Sequence, residues 1–301
     1  MGHSDLVLRF LLFFMLKGVF GATFTFSNKC DHPVWPGILG TPALDTTGFK
    51  LAEGKSRSLQ APAGWSGRFW GRTRCEFDGQ GHGSCATGDC GSGQMECNGA
   101  GAAPPATLAE FTLGSGSGTQ DFYDVSLVDG YNLQMIVEVS GGSGDCKTTG
   151  CVDDLNQRCP SELRVAGGGG CKSACDTFGT PEFCCKGAFD SPAACRPTAY
   201  SQLFKSACPK SYSYAYDDAT STFTCMGATD YTIIFCPMPS LSSIKSKAGN
   251  VSQDSLDALL ELYAHLASGN SSIITYPYFL NFVTLTIYVT ILLLQTLVSI
   301  L

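Results

Sequence analysis

The chain has 301 residues, a formal net charge of −7 and only 19 lysines and arginines. That balance leaves no basic patch for nucleic acid, so no nucleic-acid partner is expected. Its sixteen cysteines all lie between Cys30 and Cys236, an even and dense set that reads as a disulfide framework built in an oxidising compartment.

A zinc site would need clustered cysteine and histidine ligands. The cysteine-rich region holds only His32 and His82 and contains no C-x2-C pair, so neither metal nor cofactor is expected. Cys184 and Cys185 are neighbours in sequence, and a ring closed between neighbours is strained, so each is expected to pair elsewhere.

At the N-terminus, Arg9 precedes the apolar run Phe10 to Leu16, which Lys17 then interrupts. Val19 and Gly21 occupy the small-residue positions before a cut, so residues 1–21 read as a secretory signal peptide with Ala22 as the mature end. Myristoylation at Gly2 is disfavoured, because Leu6 stands where serine or threonine is required. Further on, Thr23 to Phe26 alternates polar and aromatic residues. Phe122 to Leu127, Leu133 to Val139 and Tyr231 to Phe235 are rich in β-branched and aromatic types. Clusters of Gly, Pro, Asn and Asp separate these runs, as in an all-β sandwich. The 35 glycines would suggest disorder in a polar chain, but 44% of residues are hydrophobic, enough for a core. Between about Cys146 and Cys208 cysteines crowd, Gly167 to Gly170 breaks the chain and strand patterns vanish. This segment reads as a loop-rich lobe held by bridges, with too few apolar runs for a core of its own.

Residues 238–272 carry no cysteine and read as a spacer with two glycosylation acceptors, Asn250 and Asn270. Within it Leu256, Leu259, Leu260 and Tyr263 recur at helical spacing after Asp254, a good N-cap. From Ile273 to Leu301 no residue is charged. A membrane span of this kind would normally be followed by lysine or arginine on the cytoplasmic side. A glycolipid-anchor signal is preferred, with Ser268, Gly269 or Asn270 as the attachment residue. The expected setting is therefore the cell surface or the space outside it, with the tail as the contact to membrane.

The segment Gly81-His82-Gly83-Ser84-Cys85-Ala86-Thr87-Gly88-Asp89-Cys90 is distinctive. So are Trp70-Gly71-Arg72-Thr73, Thr107-Leu108-Ala109-Glu110-Phe111 and Asp124-Val125-Ser126-Leu127-Val128-Asp129-Gly130. Cys159-Pro160, Cys184-Cys185 and Ser221-Thr222-Phe223-Thr224-Cys225 complete the set. Together they resemble the thaumatin-like, pathogenesis-related family of plants, over about residues 22–237. The resemblance implies a mainly β, thaumatin-like sandwich with a disulfide-rich loop lobe and a small extra lobe, acting as a monomer in defence against fungi. It also implies the pairing Cys30–Cys236, Cys75–Cys85, Cys90–Cys97, Cys146–Cys225, Cys151–Cys208, Cys159–Cys171, Cys175–Cys184 and Cys185–Cys195.

By the same resemblance a cleft is lined by Arg68, Glu110, Asp124, Asp129 and Asp217. Arg72 competes with Arg68, because residues four apart on a strand share a face, and Asp218 competes with Asp217. Carboxylates gathered in one cleft raise one another's pKa. One raised acid beside an ionised partner is what glycoside hydrolysis requires. Glu110 with Asp124 or Asp129 is the candidate pair, and some members of the family cleave β-1,3-glucan. The preferred reading is milder: the carboxylates accept hydrogen bonds from sugar hydroxyls, which needs no chemistry. A weak endo-β-1,3-glucanase is the second reading, and an anchored interaction protein at the plasma membrane or plasmodesmata the third. Asp153-Asp154 and Asp217-Asp218 lack EF-hand spacing, and His82 reads as a solvated loop residue. No serine or cysteine has a histidine partner that would make a protease.

Overall fold

The computed structural model describes residues 20–116 and 118–237. Most of the expected signal peptide, the spacer with Asn250 and Asn270, the helix after Asp254, the anchor candidates Ser268 to Asn270 and the apolar tail lie outside the described residues.

Ten strands form the body: β1 Phe20–Asn28, β2 Trp35–Thr41, β3 Ser56–Pro62, β4 Ser66–Phe77, β5 Gly83–Thr87, β6 Leu108–Thr112, β7 Gln120–Ser126, β8 Met135–Ser143, β9 Thr149–Cys151 and β10 Phe223–Phe235. They hydrogen-bond in the order β2-β4-β6-β7-β10-β1-β3, with β5 on β4 and with β8 joining β10 to β9. The sheet curls into two facing layers, and β10 is the strand common to both. Its first residues, Phe223 to Met226, pair with β7, and Asp230 to Phe235 run parallel to β1. A register shift against β8 falls between Ala228 and Asp230, the local irregularity that lets a strand bend.

Alternation explains what fills the space between the layers. In β1, Phe24 and Phe26 are fully buried while the threonines between and beside them are not. The Phe24 ring lies 4.7 Å from that of Phe69 on β4 and 4.7 Å from that of Phe111 on β6. Neither strand is a hydrogen-bonded neighbour of β1, so these contacts cross from one layer to the other. Tyr123, Tyr231 and Phe235 extend the same cluster. The Tyr231 hydroxyl donates to Asp121 Oδ2 at 2.7 Å, and Asp121 Oδ1 accepts from the Gly114 amide at 2.7 Å. This buried acid is thereby satisfied on both oxygens, as burial demands.

Beyond β9 the chain forms a lobe of short helices: α1 Ala174–Phe178, α2 Pro181–Cys184 and α3 Ala199–Ala207, followed by the single turn α4 Asp218–Ser221. Helix α3 starts on a capping box between Thr198 and Ser201, which satisfies two otherwise orphaned amides. Contrary to the expectation from sequence, the lobe has a core. Leu155, Leu163 and Phe204 are buried with Cys151, Cys159, Cys171 and Cys208, and against Leu127 and Tyr131 of the sandwich. Half-cystines supply the apolar contacts that the sequence pattern lacked. Gly167, Gly168 and Gly169 all take positive φ, a conformation open to glycine at little cost. The carbonyls so exposed at Gly167 and Gly168 accept from the Arg74 guanidinium of β4.

Eight disulfides join Cys30–Cys236, Cys75–Cys85, Cys90–Cys97, Cys146–Cys225, Cys151–Cys208, Cys159–Cys171, Cys175–Cys184 and Cys185–Cys195, and no cysteine is free.

Arg72 shares a face with Arg68, but the segment after β5 covers it completely. It donates to the carbonyls of Trp35 at 3.1 Å, Pro36 at 3.3 Å and Met95 at 2.6 Å. Burial pushes its guanidinium down to about 10, while Asp89 and Glu96 oppose the change. Arg72 therefore ties β2 to the loop over β4 and does not reach an exposed cleft. Arg72→Lys keeps the charge but cannot span three acceptors. It is expected to cost about 2–4 kcal/mol in denaturant unfolding; a loss under about 0.5 kcal/mol, the range of an ordinary surface change, would contradict this role.

Candidate functional site

The outer face of β4, β6 and β7 carries the candidate residues, and strand register decides which of them meet. Arg68 pairs with Glu110, and Glu110 pairs with Asp124. Residues directly opposite on adjacent strands share a face, with Cβ atoms about 5 Å apart. Arg68, Glu110 and Asp124 therefore form one straight row across three strands. Arg68 Nη1 lies 3.7 Å from Glu110 Oε1, and both side chains remain partly open to solvent. Asp124 sits deeper. Its Oδ1 is buried and has no hydrogen-bond partner.

Asp129 follows β7 in the turn that closes at Gly130, where the Gly130 amide donates to Leu127 O. It lines a pocket of about 290 Å3 that the lobe completes with Phe183, Lys186, Arg196, Tyr200 and Tyr214. The pocket does not include Arg68, Glu110 or Asp124; Asp129 is the candidate residue that belongs to it. Apart from the half-cystines Cys175, Cys184, Cys185 and Cys195, the lobe residues lining it carried no recognisable signal in sequence.

Asp217 and Asp218 part company. Asp217 Oδ2 is held by Lys205 Nζ at 2.9 Å and by the Ser213 amide and hydroxyl, both at 3.0 Å. Thr220 Oγ1 donates to its Oδ1 at 3.2 Å. Lys205, in the last turn of α3, also donates to Ser211 O and Ser221 Oγ. Asp217 is thus committed to holding the loop between α3 and β10. Asp218 instead accepts from the Tyr212 hydroxyl at 2.8 Å. The Tyr212 backbone is clamped along β7, donating to Val125 O and accepting from the Leu127 amide, which sets Tyr212 and Asp218 beside Asp124.

Residues 28–237 match the Thaumatin family. The chain belongs to that family. Thaumatin-like protein 1 of Arabidopsis thaliana is 64% identical over 243 residues, covering 77% of this chain and 93% of that protein. Pathogenesis-related protein 5 of the same plant is 55% identical over 240 residues, covering 78% and 98%. A protein of Prunus avium named glucan endo-1,3-beta-glucosidase is 54% identical over 227 residues, covering 73% and 92%. The curled sheet and its stapled lobe are accordingly a thaumatin-like fold, mainly β.

In this thaumatin-family chain the row is electrostatically uneven. Burial pushes the Asp124 carboxyl up to about 8, and the neighbouring charges of Glu110 and Asp218 add to the effect. Although 38% of the Glu110 side chain reaches solvent, surrounding protein also raises its carboxyl. Arg68 opposes that rise and Asp129 assists it. Asp124 is therefore the group that keeps its proton furthest into the neutral range. His82 stands apart, on an exposed turn 3.6 Å from Asp78. Among the described residues no cluster of three or more histidines, cysteines or acids is placed to hold a metal.

Proposed function

We propose that the row Arg68–Glu110–Asp124, together with Asp129, binds β-1,3-glucan or a related wall polysaccharide outside the cell, in an antifungal defence role. The observation that carries this reading is Asp124. Its carboxyl is held beside Glu110 on a rigid sheet face, with one buried oxygen lacking any partner. A sugar hydroxyl lying over this half-buried carboxyl is a partner of the right chemistry, since a neutral carboxyl can both donate and accept. Arg68 and Glu110 offer a donor and an acceptor to neighbouring hydroxyls. The name of the Prunus avium relative, glucan endo-1,3-beta-glucosidase, supports this choice of polymer class. The apolar residues 273–301 are proposed as a glycolipid-anchor signal that keeps the domain at the cell surface.

Hydrolysis is the second reading. Asp124, protonated at neutral pH, would give its proton to the leaving oxygen, and Glu110 would act as base or nucleophile. One assay separates the two. The purified protein is expected to bind laminarin without releasing reducing ends. Glu110→Gln and Asp124→Ala should each weaken binding about tenfold, the loss of one hydrogen bond to a charged or polarised group. Reducing ends that appear with the wild type and vanish in both variants would put hydrolysis in place of binding. Unaltered binding in both variants would remove the row from the ligand site altogether.

A further inference from the structure

We propose that Phe122 is a stacking subsite for a sugar ring, one step along β7 from the charged row; this rests on the glucan reading above. Phe122 and Asp124 are two apart on one strand, so both face outward, about 7 Å apart. Of the Phe122 surface, 47% is exposed, whereas Tyr123, its neighbour on the opposite face, is 1% exposed. An isolated surface aromatic is unremarkable by itself, but this one is part of a row. Register places it across from Thr112 of β6, and Thr112 across from Ser66 of β4. On its other side it faces Thr224 of β10. The Ser66 and Thr112 hydroxyls lie 3.2 Å apart and are both exposed. A row of two hydroxyls ending in an open aromatic ring thus runs beside the row Arg68–Glu110–Asp124.

The two rows match the two sides of a hexopyranose. Its edge carries hydroxyls that suit serine, threonine and charged groups, and its face carries C–H bonds that pack against an aromatic ring. Phe122 stacks on no other aromatic ring among the described residues, and 47% of its surface is open to solvent. The other strongly exposed phenylalanine, Phe178, packs against Phe183 and Tyr200, so packing within the lobe accounts for it. Met226 is 38% exposed and lies opposite Gln120, diagonally next to Phe122, which widens the apolar surface. Because both rows stand on strands, their spacing is fixed before any ligand arrives. The glucan then runs along β7, from Phe122 past Asp124 toward Asp129 and the pocket of the lobe.

The test is calorimetric titration of the full chain with laminari-oligosaccharides from trisaccharide to heptasaccharide. Wild type is expected to gain affinity with length until the ligand covers both rows. Phe122→Ala should remove that gain, weakening the longest ligand about tenfold, as loss of a ring stack does, and leaving the trisaccharide nearly unaffected. Phe122→Trp should restore it. Phe122→Leu, apolar but without a ring face, should behave like alanine. An alanine variant that gains affinity with length as the wild type does overturns the subsite while the charged row keeps its role. Wild type that binds no length overturns the glucan reading and this subsite with it. Thermal unfolding of each variant should stay close to wild type, since Phe122 lies on the outer face of the sheet with about half of its surface in solvent.

Discussion

Replacing Cys30 and Cys236 together by alanine is expected to cost about 4–5 kcal/mol of stability. The bridge closes a sequence separation of 206 residues, against ten for Cys75–Cys85. In the chain-entropy account the cost grows with the logarithm of the loop, so the short bridge is worth about 3 kcal/mol. Nested bridges such as Cys146–Cys225 shorten the effective path round the long loop. Halving a loop changes its closure term by only about 0.6 kcal/mol, so the estimate survives. The native state gives up little when the bridge is removed. Asn28 still pairs with Phe235, the Lys29 amide still donates to Phe235 O, and the Cys236 amide to Gln134 O. The effect therefore acts on the unfolded chain, which expands. Guanidinium unfolding should show a lower midpoint together with a steeper denaturant dependence, because more surface is exposed. A loss below about 2 kcal/mol, less than the short loop is worth, would mean that the bridge decorates ends already held by the sheet.

How much of this was legible in the sequence depends on whether the cause was local. β1 announced itself by the period-two alternation that records which face is buried, and β7, β8 and the end of β10 by their β-branched and aromatic content. β2, β3 and most of β4 did not. Trp35, Pro36 and Gly37 mix types that the pattern rules read as turn or loop, and β4 is buried on both faces over Phe69 to Thr73, so it shows no alternation. The candidate residues Arg68, Glu110 and Asp124 came from the family resemblance. That they stand in one row is a property of register between strands, which no single strand carries. Arg72 shows the same limit. Period two gave its face correctly, but only the fold reveals the loop that covers it. Asp217 and Asp218 are chemically identical in sequence, and the Lys205 ammonium on a distant helix decides which of them is free to face Asp124. The core of the lobe was missed because cysteines were read as cross-links alone, although a half-cystine is also an apolar side chain that packs.

The Asp124→Asn variant is expected to become more stable than wild type as pH rises, by about 2 kcal/mol or more near pH 8. In the fold Asp124 keeps its proton up to about 8, under burial and the charges of Glu110 from β6 and Asp218 from α4. In the unfolded chain the same group releases it near its ordinary value of about 4. Between those limits the native state binds the extra proton, so wild-type stability falls as pH rises from about 4 to about 8. Each unit of difference is worth about 1.4 kcal/mol. Asparagine has nearly the shape of the neutral acid and cannot ionise, so the variant loses this slope and should match wild type near pH 4. Glu110 is also raised, by burial and by Asp129 and against Arg68; all three remain in the variant, so its own titration cancels in the difference. Glu96, which Thr46 and Thr47 hold below the usual carboxylate range, titrates identically in both proteins and cancels in the difference. Denaturant unfolding of the pair at several pH values measures it, and a difference that stays flat would show that Asp124 ionises as an ordinary surface acid. The same proton links stability to function. A neutral Asp124 can donate to a sugar oxygen and an ionised one cannot, so laminarin binding by wild type should weaken as pH passes about 8, while binding by the asparagine variant, whose amide keeps a donor and an acceptor, stays level through that range.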